Sequence, residues 1–172
     1  VIGPILILYS FLLNSLLAAG CIQEYELNSA TKPEEIFAML GGLDISNLSD
    51  DQWVRRDISK VDIHPEWNPA TVKYDADIAV LTMSQAVQLS DYIQIVCLPS
   101  KNEQVFDVDG SIVGHGHDGY DIKVQDIPKT LQISSISDEE CFLNKPRLSQ
   151  ISSHRTFCAG SLNNVPCKSN FN

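Results

Sequence analysis

The chain has 172 residues, of which 44% are hydrophobic, and this fraction is enough to build the core of one ordinary domain or of two small ones. Twelve basic residues against twenty-two acidic residues give a net charge of −10. A surface of that sign repels polyanions, so the composition argues against nucleic acid as a partner.

The first nineteen residues are nearly all apolar, and such a run could be a signal peptide, a membrane-spanning helix or buried strands. A secretory signal peptide with small residues at 18–20 as its cleavage site is one interpretation, but a basic n-region is missing and Pro4 and Asn14 interrupt the apolar run. A spanning helix is disfavoured because the run barely reaches the ~20 residues needed and lacks a cationic flank. We therefore favour buried strands and expect no membrane contact. The signal-peptide and strand interpretations both imply secretion.

Short β-rich runs between turn residues dominate the rest of the chain and predict an all-β sandwich or barrel. Three such runs cover residues 78–81, 93–97 and 111–114. One short helix is predicted over residues 32–40, where Gly41 and Gly42 would end it. An apolar run ends at Pro99 and polar residues follow it, which predicts a connector between units at 1–100 and 101–172.

Cysteine spacing and charge bear on metal and redox chemistry. Five cysteines without any CxxC pair argue against a zinc ribbon or a thioredoxin-like motif and favour disulfides, with at least one thiol unpaired. The acidic pairs, such as Glu139 and Glu140, are interpreted as solvated loops or turns. His115 and His117 would share one face of a strand and could bind zinc or copper, but no third ligand lies near them in sequence. We expect no metal and no cofactor.

Several segments resemble the motifs of one protease family, and they occur in that family's order. Residues 16–21 resemble Leu-Thr-Ala-Ala-His-Cys, and residues 74–81 resemble the Asp-Ile-Ala-Leu-Leu segment. Residues 63–69 resemble Ile-His-Pro-x-Tyr-Asn-Pro, and residues 97–99 resemble Cys-Leu-Pro. Residues 114–116 resemble Gly-Trp-Gly, and residues 156–160 resemble Met-Phe-Cys-Ala-Gly. Residues 131–132 resemble an opening strand of the second of the family's two β-barrels. The chain thus resembles the chymotrypsin/trypsin-like serine proteases (peptidase S1), especially the secreted proteases of insects and their inactive homologues.

This resemblance implies a fold of two antiparallel β-barrels of chymotrypsin type, each with six strands. The first barrel, within residues 1–100, would lack its opening strand, because the chain would start inside that barrel. The second, within residues 101–172, would be incomplete. The resemblance also implies one disulfide, between Cys141 and Cys158, and leaves Cys21, Cys97 and Cys167 without their family partners.

Each catalytic part of the family can be located by this resemblance. Serine-protease chemistry needs an imidazole as base, an aspartate to orient it, a serine nucleophile and backbone N–H donors for the oxyanion. Asp77 matches the aspartate. Gly20 occupies the histidine position, Phe171 the serine position and Ser169 the position of the oxyanion-hole glycine. Glycine has no side chain to accept a proton, so base and nucleophile are lost together.

The leading hypothesis is therefore a secreted, catalytically inactive protease homologue that binds proteins or peptides through the remnant cleft. One alternative is an active serine endopeptidase represented by a partial or faulty sequence, since the defects concentrate near the two ends. A second alternative is a secreted β-module with a metal site at His115 and His117.

Overall fold

Antiparallel strands form most of the regular structure in the computed structural model, which describes residues 6–8, 13–23, 31–71, 73–98, 109–115 and 126–160. Within residues 6–8 the description is limited to the backbone. The chain divides into two units, Val1–Pro69 with Asp77–Leu98, and Ala70–Ala76 with Pro99–Asn172. None of the described helices is long and apolar enough to span a membrane.

Unit 1 contains a five-stranded antiparallel sheet with the strand order β1-β2-β5-β4-β3. Its strands are β1 Leu6–Leu8, β2 Asn14–Leu17, β3 Phe37–Leu40, β4 Val54–Ile63 and β5 Ala79–Met83. The strand interpretation of the apolar N-terminal run is thus confirmed for β1 and β2. The strand predicted at residues 78–81 is confirmed from residue 79 onwards, within β5.

The core of unit 1 lies on one face of this sheet. Alternation places Ala79, Leu81 and Met83 inside, each 1% exposed, because successive side chains of a strand point to opposite faces. The buried apolar cluster consists of Ile22, Ile36, Ala38, Leu40, Ile58, Leu81, Met83, Val87 and Ile93. Strand β4 keeps Ile58 in this cluster by a register irregularity between Ile58 and Lys60.

The helix predicted over residues 32–40 is wrong. Residues Pro33–Glu35 form a single 3-10 turn, and β3 follows it. Ala38 and Leu40 are buried while Phe37 is exposed, a period of two that suits the pairing of β3 with β4. Arg55 of β4 lies 4.3 Å above the centre of the Phe37 ring, so the exposed aromatic side chain is covered by a cation. Cross-strand partners therefore overrode the local helical pattern.

The strand predicted at residues 93–97 is also wrong. Ile93 is buried in the core, but its N–H and C=O groups bond to the C=O and N–H groups of Ser90 at 3.3 and 3.1 Å. Only Val96 makes an isolated bridge. Because the backbone groups of Ile93 are hydrogen-bonded within a local turn, Ile93 packs into the core without belonging to a strand.

Unit 2 contains a three-stranded antiparallel sheet in the order β6-β7-β8. Its strands are β6 Asp109–Gly114, β7 Lys129–Ile136 and β8 Cys158–Gly160. The strands predicted at residues 111–114 and 131–132 are confirmed as parts of β6 and β7. Both sheets are antiparallel and strands outnumber helices among the described residues, so the all-β fold of chymotrypsin type is confirmed, with five and three strands described.

Two short helices, α1 Asp138–Asn144 and α2 Leu148–Ile151, follow β7 and were not predicted. The Oγ atom of Ser137 accepts a hydrogen bond from the Glu140 N–H at 3.2 Å and caps α1. Glu139 and Glu140 are solvated as expected, but they lie in a helix rather than a loop. The available signal was the Ser-x-x-Glu spacing at residues 137–140, which is typical of a helix start.

Ser15 on β2 is the one polar side chain found fully buried among the described residues, and its Oγ atom has no hydrogen-bond partner there. Burial of an unsatisfied hydroxyl group costs about 1–3 kcal/mol. We expect Ser15→Ala to raise the free energy of unfolding by about 1 kcal/mol in urea titrations. Ser59→Ala serves as the control, because the Ser59 hydroxyl donates to the Thr82 carbonyl oxygen at 3.0 Å. A loss of stability in Ser15→Ala would contradict the prediction.

Candidate active site

The pairing of β2 with β5 brings the two halves of the candidate site together. Leu17 lies opposite Ala79 in this antiparallel pair. The chain that leaves β2 enters a 3-10 turn at Ala19–Cys21, and the chain that enters β5 carries Asp77. Because the strands are antiparallel, the turn after β2 and the residues before β5 lie at the same end of the sheet. Gly20 and Asp77 therefore meet although 57 positions separate them.

Their contact is a single hydrogen bond. The Gly20 N–H donates to Asp77 Oδ1 at 2.8 Å. A Cβ atom added to Gly20 would lie 3.5 Å from the same oxygen, an ordinary van der Waals distance. The backbone at position 20 thus holds the carboxylate, and a side chain at this position would start beside it. Glycine provides no proton acceptor there, so the carboxylate faces no imidazole at position 20.

Trp67 is the third residue of this cluster. Its Cζ2 and Cη2 atoms lie 3.6 and 3.8 Å from the position of a Cβ atom on Gly20. The turn that carries Trp67 is held by two backbone hydrogen bonds, from Trp67 N–H to the His64 carbonyl and from His64 N–H to the Ile78 carbonyl, both 3.0 Å. The indole Nε1 atom is buried without a hydrogen-bond partner among the described residues. Trp67 therefore borders the space where a side chain of residue 20 would lie.

Cys21, next to Gly20, is an exposed free cysteine. Desolvation by neighbouring groups raises the pKa of its thiol, and the negative charge of Asp77 raises that pKa further. The thiolate is the reactive form of cysteine. Cys21 is consequently held in its less nucleophilic form.

A second carboxylate, Asp75, is held within unit 2. Arg155 donates to it through Nε at 2.9 Å and through Nη2 at 2.7 Å, and the Ser153 hydroxyl donates to Oδ1 at 2.7 Å. Between the two carboxylates, Ala76 adopts a left-handed backbone conformation with φ +56°. This conformation is unfavourable for alanine by about 1 kcal/mol or more.

The Asp75 ion pair predicts a specific dependence of stability on pH. Hydrogen bonds from Arg155 and then Ser153 lower the pKa of Asp75 well below its ordinary value, and the charge of His154 acts in the same direction. Because the folded-state pKa is depressed, the stabilisation is complete above the unfolded pKa of about 3.9 and is lost as the pH falls towards the folded value. Asp75→Asn should destabilise the chain at pH 7 and somewhat less at pH 3, where the unfolded carboxyl is mostly protonated while the depressed pKa keeps the folded one ionised.

Urea unfolding of both proteins at the two pH values measures this difference. Asp91→Asn is the matched control, since Asp91 is an exposed carboxylate whose substitution makes the same change in charge. An equal loss of stability in Asp75→Asn at pH 3 and pH 7 would contradict the assignment.

The structure also joins Cys141 and Cys158 in a disulfide bond, with their Cα atoms 6.3 Å apart. This is the pair that the family resemblance implies. The bond links α1 to β8, and both cysteines are buried. Cys97, like Cys21, is free and exposed.

Other residues singled out from the sequence lie outside the described residues, and these are His117, Cys167, Ser169 and Phe171. His115 follows β6 and is partly buried. Within the described part of the chain, no three His, Cys, Asp or Glu side chains are grouped as a metal site would require. The His64 Nδ1 atom accepts a hydrogen bond from the Glu66 N–H at 3.1 Å, so that imidazole stabilises its own turn.

Comparison with known proteins agrees with this arrangement of motifs and strands. Residues 11–170 match the family model described as Trypsin. The chain belongs to the trypsin family. The resemblance seen in the sequence is thereby confirmed.

Several relatives are members of this family by name. Serine protease gd of Drosophila melanogaster is 26% identical over 161 residues, which cover 83% of this chain and 30% of that protein. Serine protease filzig of the same fly is 25% identical over 107 residues, or 62% of this chain and 6% of that protein. Chymotrypsin-like elastase family member 1 of Rattus norvegicus is 37% identical over 57 residues, or 32% and 21%. The chain thus spans less than a third of the length of each of these relatives.

Two features of the site were not predicted from the sequence. Trp67 was recognised only as part of the segment at residues 63–69, and the fold gives it a place beside Gly20. The ion pair between Asp75 and Arg155 joins residues 80 positions apart, and no local pattern signals it.

Proposed function

We propose that this trypsin-family chain is a catalytically inactive serine protease homologue that acts by binding other proteins. The observation that carries the proposal is the lack of a side chain at position 20, which lies in contact with Asp77 and where the family's chemistry needs an imidazole. Asp77 is the retained triad aspartate in this proposal, and Gly20 and Phe171 occupy the positions of the lost base and nucleophile. Without a base and a serine, the carboxylate has no proton transfer to support.

Binding is the function that the remaining features can serve. Members of the trypsin family act on protein or peptide substrates, so the surface that carries Gly20 and Asp77 descends from one that contacted polypeptide. The proposal places this contact outside the cell. The disulfide between Cys141 and Cys158 supports that location, because such bonds persist in oxidising compartments.

Reaction with a fluorophosphonate probe tests the proposal directly. The probe labels a serine only where that serine has been activated as a nucleophile, so the purified chain should remain unlabelled and should not cleave casein. A trypsin-family protease treated in parallel controls for the reagent. Incorporation of the probe at any serine would disprove the inactive assignment.

A second candidate is a serine endopeptidase represented here by a partial or faulty sequence. It is favoured by the hydrogen bond between the position-20 backbone and Asp77, together with the room for a Cβ atom 3.5 Å from the carboxylate. Resequencing the transcript separates the two candidates. A histidine codon at position 20 and Gly-Asp-Ser-Gly after Cys167 would establish the protease.

A further inference from the structure

In the cluster of Gly20, Trp67 and Asp77, only one of the two carboxylate oxygens of Asp77 accepts a hydrogen bond from the described residues. Asp77 Oδ1 accepts the Gly20 N–H, and no second hydrogen bond or ion pair of Asp77 is found among the described residues. Asp77 is partly exposed, and no unsatisfied buried oxygen of its side chain is found there, so solvent reaches the group. The carboxylate is thus available to a ligand that can place positive charge beside Gly20.

The chain supplies no such charge itself among the described residues. Arg155 is engaged with Asp75 in unit 2, and the described ion pairs of unit 1 use Asp57 and Asp62 as their acids. His64 accepts a hydrogen bond from the Glu66 N–H. No described cationic side chain of unit 1 is thus paired with Asp77.

We propose that the Gly20–Trp67–Asp77 cluster binds a single cationic side chain, lysine or arginine, of a partner protein. This inference rests on the proposed binding function and names the chemistry that the site recognises. A Cβ atom added to Gly20 would make ordinary contacts with Asp77 Oδ1 and with the Cζ2 and Cη2 atoms of Trp67, so no side chain covers the carboxylate at position 20. A carboxylate beside an indole is a combination that attracts ammonium and guanidinium groups.

The charge of the whole chain acts in the same direction. A net charge of −10 steers cationic partners towards the surface and repels anionic ones. Asp77 also raises the pKa of the neighbouring Cys21 thiol, so its field extends over the surface next to Gly20. A bound cation would cancel part of that field.

Ethylammonium and ethylguanidinium are suitable probes, because they carry the ends of the lysine and arginine side chains. A ¹H–¹⁵N spectrum of the chain contains two indole signals, from Trp53 and Trp67. Trp53 Nε1 donates to the Asn47 carbonyl at 3.1 Å and serves as the internal reference. We expect the Trp67 signal to shift with saturation, at a dissociation constant on the order of millimolar for ligands of this size, while the Trp53 signal stays constant.

Variants locate the binding at the cluster. Asp77→Asn keeps an oxygen to accept the Gly20 N–H but removes the charge, and should weaken binding at least tenfold. Gly20→Val fills the space beside the carboxylate and should abolish the saturable shift. Asp91→Asn, which changes the charge equally elsewhere in unit 1, should bind as the parent chain does. The dispersion of each spectrum shows whether the variant is folded.

Alkylation of Cys21 provides a second measurement. A cation bound at Asp77 offsets the charge that raises the pKa of Cys21, so the thiol should react faster with iodoacetamide at fixed pH. Peptide mapping separates Cys21 from the other cysteines. Asp77→Asn should accelerate the reaction without any ligand and remove the effect of the cations. This readout does not depend on the spectrum of Trp67.

Three results would overturn the proposal. These are a Trp67 shift that sodium chloride or n-propanol reproduces, a shift that survives in Asp77→Asn, and no shift in a folded parent chain. None of them would restore catalysis, so the inactive assignment would stand. Conversely, labelling by the fluorophosphonate probe would disprove that assignment and leave the measured cation binding unchanged.

Discussion

Replacing Gly20 by histidine is expected to place an imidazole against Asp77 without restoring hydrolysis of peptide substrates. The new Cβ atom would begin 3.5 Å from Asp77 Oδ1, so the ring can reach the carboxylate. Yet the base acts on a serine, and in the proposed inactive homologue Phe171 occupies the position of that serine. In enzymes of this mechanism, losing the serine alone lowers kcat by about 10⁶-fold, which puts casein cleavage below detection.

Titration of the introduced imidazole by NMR checks the first half of this prediction. The adjacent carboxylate should raise the pKa of the imidazole above the ordinary value of about 6.5. This contribution to stability is present below the unfolded pKa and is lost as the pH rises through the folded value. Adding Asp77→Asn should return the pKa towards 6.5. Gly110→His is the matched control, because no other group lies within 4 Å of its Cβ position.

Proteolysis by Gly20→His would contradict the second half. Such activity would show that this chain contains a functional nucleophile and that the serine position has been assigned to the wrong residue. An imidazole with an ordinary pKa, in a variant that is folded, would instead show that Asp77 does not face the side chain of residue 20.

Removal of the disulfide bond should cause the largest loss of stability. Cys141 and Cys158 are 17 positions apart, and a crosslink of that span contributes roughly 3 kcal/mol by restricting the unfolded chain. The double variant Cys141→Ala/Cys158→Ala should therefore lower the free energy of unfolding by about 3 kcal/mol in urea. Hydrogen exchange should place the loss in β7, α1 and β8, which the bond holds together.

The free cysteines supply the control for this experiment. Cys97→Ala changes an exposed thiol and should alter stability by no more than about 0.5 kcal/mol. Reduction of the parent chain should reproduce the double variant, whereas reduction of the double variant should have no further effect. A parent chain whose unfolding is insensitive to reductant would show that the bond carries no stability.

Two of the strands were predictable from short β-rich runs next to turn residues. Residues 79–81 of one such run lie in β5, and residues 111–114 of the other lie in β6. The apolar stretches within residues 32–40 and 93–97 are too short to separate helix, strand and buried loop by periodicity alone. Their conformations follow from contacts made elsewhere, namely the pairing of β3 with β4 and the local turn between Ser90 and Ile93.

The site was predictable to the extent that short motifs carry it. The motifs at residues 16–21 and 74–81 singled out Gly20 and Asp77, and these two residues are in contact in the structure. The contacts of Trp67 and Arg155 could not be predicted from short motifs. Their roles depend on which chain segments meet in space, 47 positions apart for Trp67 and Gly20, and 80 for Arg155 and Asp75.

The amino-acid sequence by itself determined the family, the all-β class, the missing side chain at position 20 and the cysteines available for a crosslink. These properties depend only on residue type and on the order of residues within short segments. The tertiary structure alone decided that a backbone N–H contacts Asp77, that an indole borders position 20, and that Asp75 pairs with Arg155. Strand pairing decides such contacts, because antiparallel register brings together residues that are far apart in the chain.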